Sequence, residues 1–478
     1  MELHKTMRNG TVANGEIVPA HIFRAYDIRG IYNVDLSPAT MQRIGFALGM
    51  YARERNERSV VVGNDVRATS VMFASALISG LLYAGVDVTD VGTTSFGVCA
   101  FSGWLLKKDI VAYVTASHLP PEWNGLKLYT GEGIGFEAEA NDRIREIAMA
   151  TSKGYDGVSW SEIGHYHRLE MREEYIEYIA GRFHRSELFE GRMIALDCGN
   201  GSMGLVAPDV MRRVHLRTHV LFPEPDPAFP NRPSEPTEST LSALKSEIQR
   251  TGVDFGAAFD GDGDRVVIVD DRSRVLSADQ CGAILGKALL REQKRPVSVL
   301  ANVECSMLIE RELGCLCSSI RRIPVGHTFL TREAKRTNAA LGIESSGHYV
   351  ISSLFPFDDA MVVPLIMAEI LTRTGRRLSE LVDELPSFYK ERRNLECGDS
   401  VKFKVIDSLA TGLRAEYGDK IDTMDGIRID LEDGWVLIRA SNTSPKIRVT
   451  VEGATEAVKE KLMAEFVRRT EEAIKELS

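Results

Sequence analysis

Three aspartates at alternate positions, Asp260, Asp262 and Asp264, stand in the run DFGAAFDGDGDRVVIVDD between two apolar stretches. The glycines between them permit the tight turn that lets all three carboxylates converge. Converging hard oxygens suit Mg²⁺ or Ca²⁺, and they repel one another unless a cation lies between them. The spacing is not that of an EF-hand loop: Arg265 and Asp271 occupy the places where that loop needs Gly and Glu, and both flanks read as strands. A second constellation is VAYVTASHLPPEWNGLKLY. Here Ser117 ends a strand-like run beside His118, and Lys127 lies on the returning strand. A hydroxyl, a proton acceptor and a positive charge are the parts of nucleophilic catalysis on a transferring group. No G-x-S-x-G elbow surrounds the serine, which argues against acyl transfer.

Two further loops carry recognition chemistry. WVLIRASNTSPKIRVTVE gathers Arg439, Ser441, Asn442, Thr443 and Arg448 around a turn containing Pro445. That donor set can hold phosphate or carboxylate without a metal. GIESSGHYV places Glu344, Ser346 and His348 in one glycine-containing loop, whose acceptor and hydroxyls suit a sugar edge. Singly, a Ser-His pair or a polar hairpin turn is commonplace. Together the four supply a nucleophile, a metal site, a sugar reader and a distant phosphate clamp, one in each expected domain.

The elements that must position them follow a repeated pattern. Residues 58–92, 193–224 and 297–327 each show a β-branched run, a small or polar turn, a helical pattern and a second β-branched run. This order indicates βαβ units in mixed sheets covered by helices, repeated in pattern rather than in identity. The C-terminal stretch differs. Asp425-Gly426 and Asp433-Gly434 punctuate alternating runs, as in antiparallel hairpins, and ATEAVKEKLMAEFVRRTEEAIKEL reads as an amphipathic helix. The expected fold is α/β: three similar α/β domains with mixed sheets (1–160, 161–273 and 274–387) plus a C-terminal α+β domain (388–478), arranged around a central cleft. The linkers fall at 152–164 and 385–400. The proline-rich FPEPDPAFPNRPSEPTE is a long loop of a length that is usually functional or mobile.

At 478 residues the chain exceeds one ordinary core, and its 44% hydrophobic and 26% charged content is that of a globular protein. A net charge of −10 disfavours nucleic acid or an anionic membrane as partner. Seven scattered cysteines, only Cys315 and Cys317 being close, read as reduced thiols rather than a zinc site. The N-terminal residues show no signal-peptide pattern and no apolar stretch is long enough to span a membrane, so a cytoplasmic location is expected.

With FRAYDIRGIY at 23–32 and the FPN-x-P loop at 229–233 added to the four motifs, the chain resembles the α-D-phosphohexomutase family. Within it the phosphomannomutase/phosphoglucomutase branch is the nearer, from about residue 20 to the C-terminus. The resemblance implies interconversion of hexose 1-phosphate and hexose 6-phosphate through a phosphorylated Ser117 and a hexose 1,6-bisphosphate, which also serves as activator. It assigns Mg²⁺ to Ser117, Asp260, Asp262 and Asp264, and catalytic support to Arg29, His118 and Lys127. Tyr26, Arg265, His327, Glu344, Ser346 and His348 fall to the sugar, and Arg439, Ser441, Asn442, Thr443 and Arg448 to the unreactive phosphate. Three positions depart from the family pattern: Leu119 in place of Asn, Glu304 in place of a frequent basic residue, and Ile343 in place of Gly. Mannose or glucose is the expected sugar, favoured by FRAYDIRG and SGHY. The alternatives are a phosphoglucosamine mutase, a non-catalytic phosphosugar-binding relative, and a Ca²⁺-binding structural protein.

Overall fold

The structure is a computed structural model that describes residues 18–150, 156–183, 189–398, 400–441 and 446–477. The chain forms two compact units. The first runs through Val275 and takes back Ser353–Leu378; the second comprises Leu276–Ser352 and the chain from Ser379 onward.

The first unit carries two sheets. Six strands lie in the order Asp27–Ile31, Trp123–Thr130, Ile110–Val114, Ser59–Asn64, Asp87–Thr93 and Tyr166–Arg168. Ser59–Asn64 is parallel to both its neighbours, whereas Trp123–Thr130 returns antiparallel beside Ile110–Val114. All five residues of Ile110–Val114 are buried, and the run IVAYV has the unbroken apolar character that such a central strand requires. Helix Pro38–Glu54 begins where the Ser37 hydroxyl accepts from the Thr40 amide, with proline at the first helical position. Together with helix Ser70–Tyr83 it packs Ile44, Leu48, Phe73 and Leu77 into one core with Val60, Val62, Ile110 and Ala112. The second sheet runs Val266–Asp270, Phe255–Phe259, Met193–Asp197, Arg217–Leu221. Its inner strands are parallel and its outermost pair is the antiparallel hairpin that holds the aspartates.

Residues Ser353–Leu378, within the 274–387 expected for the third α/β domain, pack with the first unit. Aromatic packing is the reason. Phe355 stacks on Tyr175 with ring centroids 6.0 Å apart and meets Phe101 and Trp104 edge-on. The Tyr175 hydroxyl donates to Asp359 at 2.7 Å and the Arg192 guanidinium to the Leu371 carbonyl at 2.6 Å. Burial lifts the Asp359 carboxyl to about 7.

The second unit also has two sheets. Ser298–Asn302 is parallel to Ser319–Ile323 and Leu341–Ile343, and Tyr349–Ile351 closes the edge antiparallel. The other is wholly antiparallel, in the order Tyr389–Glu396, Lys446–Gly453, Gly434–Ala440, Ile427–Asp430, Ile421–Asp422. Its apolar alternation (Ile427, Ile429, Val436, Ile438, Ile447, Val449, Val451) forms one core with Leu413 of helix Lys402–Tyr417 and Phe466 of helix Glu456–Leu477. The three expected βαβ segments and the C-terminal α+β arrangement are all present. Five cysteines are buried and Cys315 is exposed, all as free thiols. No helix among the described residues is long and apolar enough to cross a membrane.

Glycine sets the closeness of the first helix pair. A Cβ on Gly45 would sit 2.1 Å from the Leu77 carbonyl oxygen, and one on Gly80 2.0 Å from that of Gln42. Gly45→Ala or Gly80→Ala must push backbone against backbone, so each should destabilise the protein by about 1–3 kcal/mol in denaturant unfolding.

Candidate active site

In the first unit, chemistry collects at the ends of strands. Beyond Ile110–Val114 the chain turns sharply: the Ser117 amide donates to the Thr115 hydroxyl at 2.8 Å, and Ser117 itself takes a left-handed φ of 51°. That conformation is uncommon outside glycine and is held here by its surroundings. The Ser117 hydroxyl lies 3.1 Å from Asp260 Oδ2 and 3.2 Å from His118 Nδ1, and the residue is buried.

The side chain that holds this turn is Arg67, fully buried at the end of the neighbouring parallel strand. Its guanidinium donates to the carbonyls of Ser117, Leu119, Pro120 and Trp123 at 2.6–3.1 Å, and its Nε to Asp65. Asp65 also accepts from the Thr115 hydroxyl at 2.7 Å. The proline-rich loop braces the same turn from another direction. Ser234 donates to the His118 and Leu119 carbonyls, and Arg232 anchors the loop on Asp197 and on the Phe259 carbonyl. Leu119, one of the departures, thus contributes its backbone carbonyl to this web.

Asp260, Asp262 and Asp264 are fully buried, and each offers a carboxylate oxygen within 4.8 Å of the others. The hairpin turn that carries them uses Gly263 at φ 82°. Gly261 permits its approach to the serine turn, since a Cβ there would stand 2.6 Å from the Ser117 carbonyl oxygen. Lys127 pairs with Asp262 at 2.9 Å and with Asp264. Burial opposes its charge, but Asp262 and Asp264 prevail and hold the ammonium above its ordinary range. Burial, then the mutual repulsion of the three, raises the Asp260 and Asp262 carboxyls. One ammonium is too little for three carboxylates, and Asp262 Oδ1 is buried with no hydrogen-bond partner among the described residues. A divalent cation fits this deficit.

Arg29 donates to the Thr115 carbonyl at 2.5 Å and to Asp27 at 3.0 Å, while Tyr26 is half-buried just ahead of the same strand. Arg265, then burial, Arg29 and Lys127 press the His118 imidazole down to about 2, so it is neutral at neutral pH. The first unit therefore brings together Arg29, Ser117, His118, Lys127, Arg265 and the aspartate triplet.

The second unit holds the remaining described candidates. Between Leu341–Ile343 and Tyr349–Ile351 the chain makes a tight loop with Gly347 at φ 98°. Glu344 accepts from the Ser346 hydroxyl at 2.6 Å and from the Gly326 amide at 2.8 Å. His327 opens helix His327–Thr337, and its ring centroid lies 6.0 Å from that of His348. Ile343, another departure, points its side chain at Gly282, where a Cβ would be only 2.6 Å from its Cδ1. The extra bulk is absorbed by a glycine on the facing helix. Arg439 donates to Asp425 at 2.7 Å and sits opposite Arg448 in the sheet, and the Ser441 carbonyl accepts from Lys402 at 2.5 Å. Asn442 and Thr443 lie outside the described residues.

Arg67, Asp65 and Thr115 were missed in the sequence. The available signal was the position of NDVRATS at the end of a parallel strand adjacent to the serine strand, where sites in such sheets form.

Models of known protein families match most of the chain. Models described as phosphoglucomutase/phosphomannomutase alpha/beta/alpha domains I, II and III match residues 20–154, 173–273 and 277–389, and that of the C-terminal domain matches 394–469. A phosphoglucomutase/phosphomannomutase of Thermococcus kodakarensis is 33% identical over 461 residues, covering 95% of this chain and 99% of the relative. A probable phosphoglucosamine mutase of Methanopyrus kandleri is 34% identical over 461 residues with the same coverage. The crystal structure of a phosphoglucomutase/phosphomannomutase family protein of Burkholderia thailandensis, 27% identical, superposes with a TM-score of 0.86 over 96% of this chain and 98% of that one. Six further relatives, 29–31% identical, are likewise named probable phosphoglucosamine mutases.

Two outcomes follow from the site's charge and its bracing. Mg²⁺ must compete with protons for carboxyls whose affinity for protons is raised, so its binding should release protons and weaken as pH falls. Calorimetry at pH 8 and pH 6, in buffers of different ionisation enthalpy, should show both effects, and Asp262→Asn should abolish most of the binding. Arg67→Met strands Asp65 and four buried carbonyls. It should cost about 3–5 kcal/mol in unfolding and open residues 117–123 to limited proteolysis.

Proposed function

Because the chain belongs to the α-D-phosphohexomutase family and is an intramolecular phosphotransferase, we propose that it interconverts hexose 1-phosphate and hexose 6-phosphate through a phosphoryl group carried on Ser117 Oγ. The observation that supports this most directly is a buried serine hydroxyl 3.1 Å from Asp260, in a pocket of three aspartates and Lys127. Phosphoryl transfer asks for positioning and charge neutralisation rather than further covalent chemistry. Asp260, Asp262 and Asp264 would hold Mg²⁺, which supplies positive charge to the phosphoryl oxygens.

The sugar hydroxyl attacks phosphorus, and the bond to Ser117 Oγ breaks as the new O–P bond forms. The hydroxyl loses its proton and Ser117 Oγ gains one, so the product is a bisphosphate and the proton count is unchanged. The reverse transfer, from the other end of the bisphosphate, regenerates the phosphoserine. Lys127, kept protonated by Asp262 and Asp264, serves as a fixed charge at the transferring group rather than as a base. Arg29 steadies the Thr115 carbonyl beside the nucleophile. Neutral His118 accepts or donates a hydrogen bond at Ser117 without adding charge. Arg265 and Tyr26 would contact the substrate. Glu344, Ser346, His348 and His327 grip the sugar hydroxyls, and Arg439, Ser441, Asn442, Thr443 and Arg448 hold the phosphate that is not reacting.

For the sugar, we infer glucosamine phosphate as the first substrate, ahead of the glucose and mannose phosphates expected from the motifs. The names of seven similar relatives support this. A Glu344–Ser346 grip on the 3,4-edge does not read C2, where these sugars differ, so all three can enter. The test is a coupled assay with glucosamine 6-phosphate, glucose 1-phosphate and mannose 1-phosphate, each with Mg²⁺ and a trace of the cognate 1,6-bisphosphate. The amino sugar should turn over fastest. Faster glucose or mannose turnover would restore the first expectation. Intact mass should reveal a one-phosphate adduct that disappears in Ser117→Ala; an adduct that survives this change removes Ser117 as its carrier.

A further inference from the structure

We propose that Arg392 is a further phosphate-binding residue of the Arg439/Arg448 clamp, positioned by Glu304. This rests on the clamp reading above. In an antiparallel sheet, directly opposed residues share a face, as do alternate residues along one strand. Arg439 opposes Arg448, Asn394 opposes Arg448, and Arg392 opposes Thr450. Arg392, Arg439 and Arg448 therefore lie on one face of the five-stranded sheet, the face away from Ile447, Val449 and Val451 and their helices.

Glu304, on the turn after Ser298–Asn302, reaches this face. Its Oε2 is ion-paired with Arg392 Nη2 at 2.9 Å and accepts from the Ser345 hydroxyl at 3.2 Å, and its backbone carbonyl accepts from Lys390 at 2.5 Å. Arg392 Nε donates to the Thr450 hydroxyl at 3.2 Å. Two nitrogens of the guanidinium are thus fixed by protein, and Nη1 bonds none of the described residues. Burial, then the nearby Arg392 and Arg439, lower the Arg448 pKa, and the neighbouring cations outweigh burial to keep Glu304 ionised. Three guanidinium groups against the carboxylates of Glu304 and Asp425 leave a surplus of positive charge that an oxyanion would neutralise.

The turn at Glu304 thus carries a carboxylate that recruits a cation from strand Tyr389–Glu396. Through Ser345, the same carboxylate ties the Glu344–Ser346 loop to the clamp. Glu304 is then a positioning residue, and Arg392 touches the ligand.

Calorimetric titration of the Ser117→Ala protein with glucosamine 6-phosphate and with glucose 1-phosphate reads binding without turnover. Arg392→Ala should weaken binding about tenfold or more, as loss of a charge-assisted contact does. Glu304→Gln should weaken it several-fold but add nothing in the Arg392→Ala background. Glu304→Lys should recover part of the loss in that background. In the enzyme with Ser117 intact, Arg392→Ala should raise KM with little change in kcat. If Arg392→Ala fails to fold, Arg392→Lys serves instead: it keeps the charge without the fork, and a smaller loss is expected.

Binding within twofold of the parent in the position-392 variant, alongside a tenfold loss in Arg439→Ala, would overturn the inference and leave the clamp reading intact. No loss in either variant, or no measurable binding by the parent, would overturn the clamp reading as well. If Glu304→Gln and Arg392→Ala losses add, Glu304 acts on the ligand directly and its positioning role fails.

Discussion

The first unit is organised around the cost of hiding three carboxylates from water within 4.8 Å of one another. Each ionised carboxylate removed from solvent loses several kcal/mol of hydration, and like charges at that range add to the penalty. A fold can tolerate this only with opposite charge in fixed positions. Lys127 provides one such charge from the strand beside the serine turn, at the price of its own burial. The remaining imbalance suits the site to a divalent cation. The arrangement is thus unstable in isolation and useful for that reason.

Holding opposed charges in register requires a stiff surround, and here it is built largely from arginine and backbone. Arg67 spreads one guanidinium over four carbonyls of the serine turn. Arg232 does comparable work for the proline-rich loop through Asp197 and Phe259. Both are paired with an aspartate as well, so each buried positive charge is compensated where it sits. The second unit solves a related problem with the opposite sign. Its sheet face gathers guanidinium groups, and Glu304 and Asp425 temper a positive excess.

Much of this was legible in the sequence wherever side-chain identity carries the information. Asp-Gly alternation announces converging carboxylates, continuous apolar runs announce covered strands, and Asp-Gly pairs announce hairpins. Arg67 stayed hidden because its acceptors are backbone carbonyls, which every residue has and no motif records. Glu304 was visible as an anomaly, but its partner lies almost ninety positions away on an edge strand, and strand register is not written locally. The placement of Ser353–Leu378 depended on Phe355 meeting aromatic rings from residues 101–178, a match of shape rather than of pattern. Asn442 and Thr443, prominent in the sequence, lie outside the described residues.

That returning segment has a bearing on how the protein comes into being. Phe101, Trp104, Tyr175 and Tyr178 are synthesised long before Phe355, the ring that covers them. Until the ribosome has passed Leu378, a nascent chain holds an uncovered aromatic surface on an otherwise finished sheet, while residues 276–352 are already emerging. Surfaces left waiting in this way favour association with chaperones or with other incomplete chains. A gene fragment ending near Val275 would therefore be a poor stand-in for the first unit, although it contains the serine, the aspartates and the lysine.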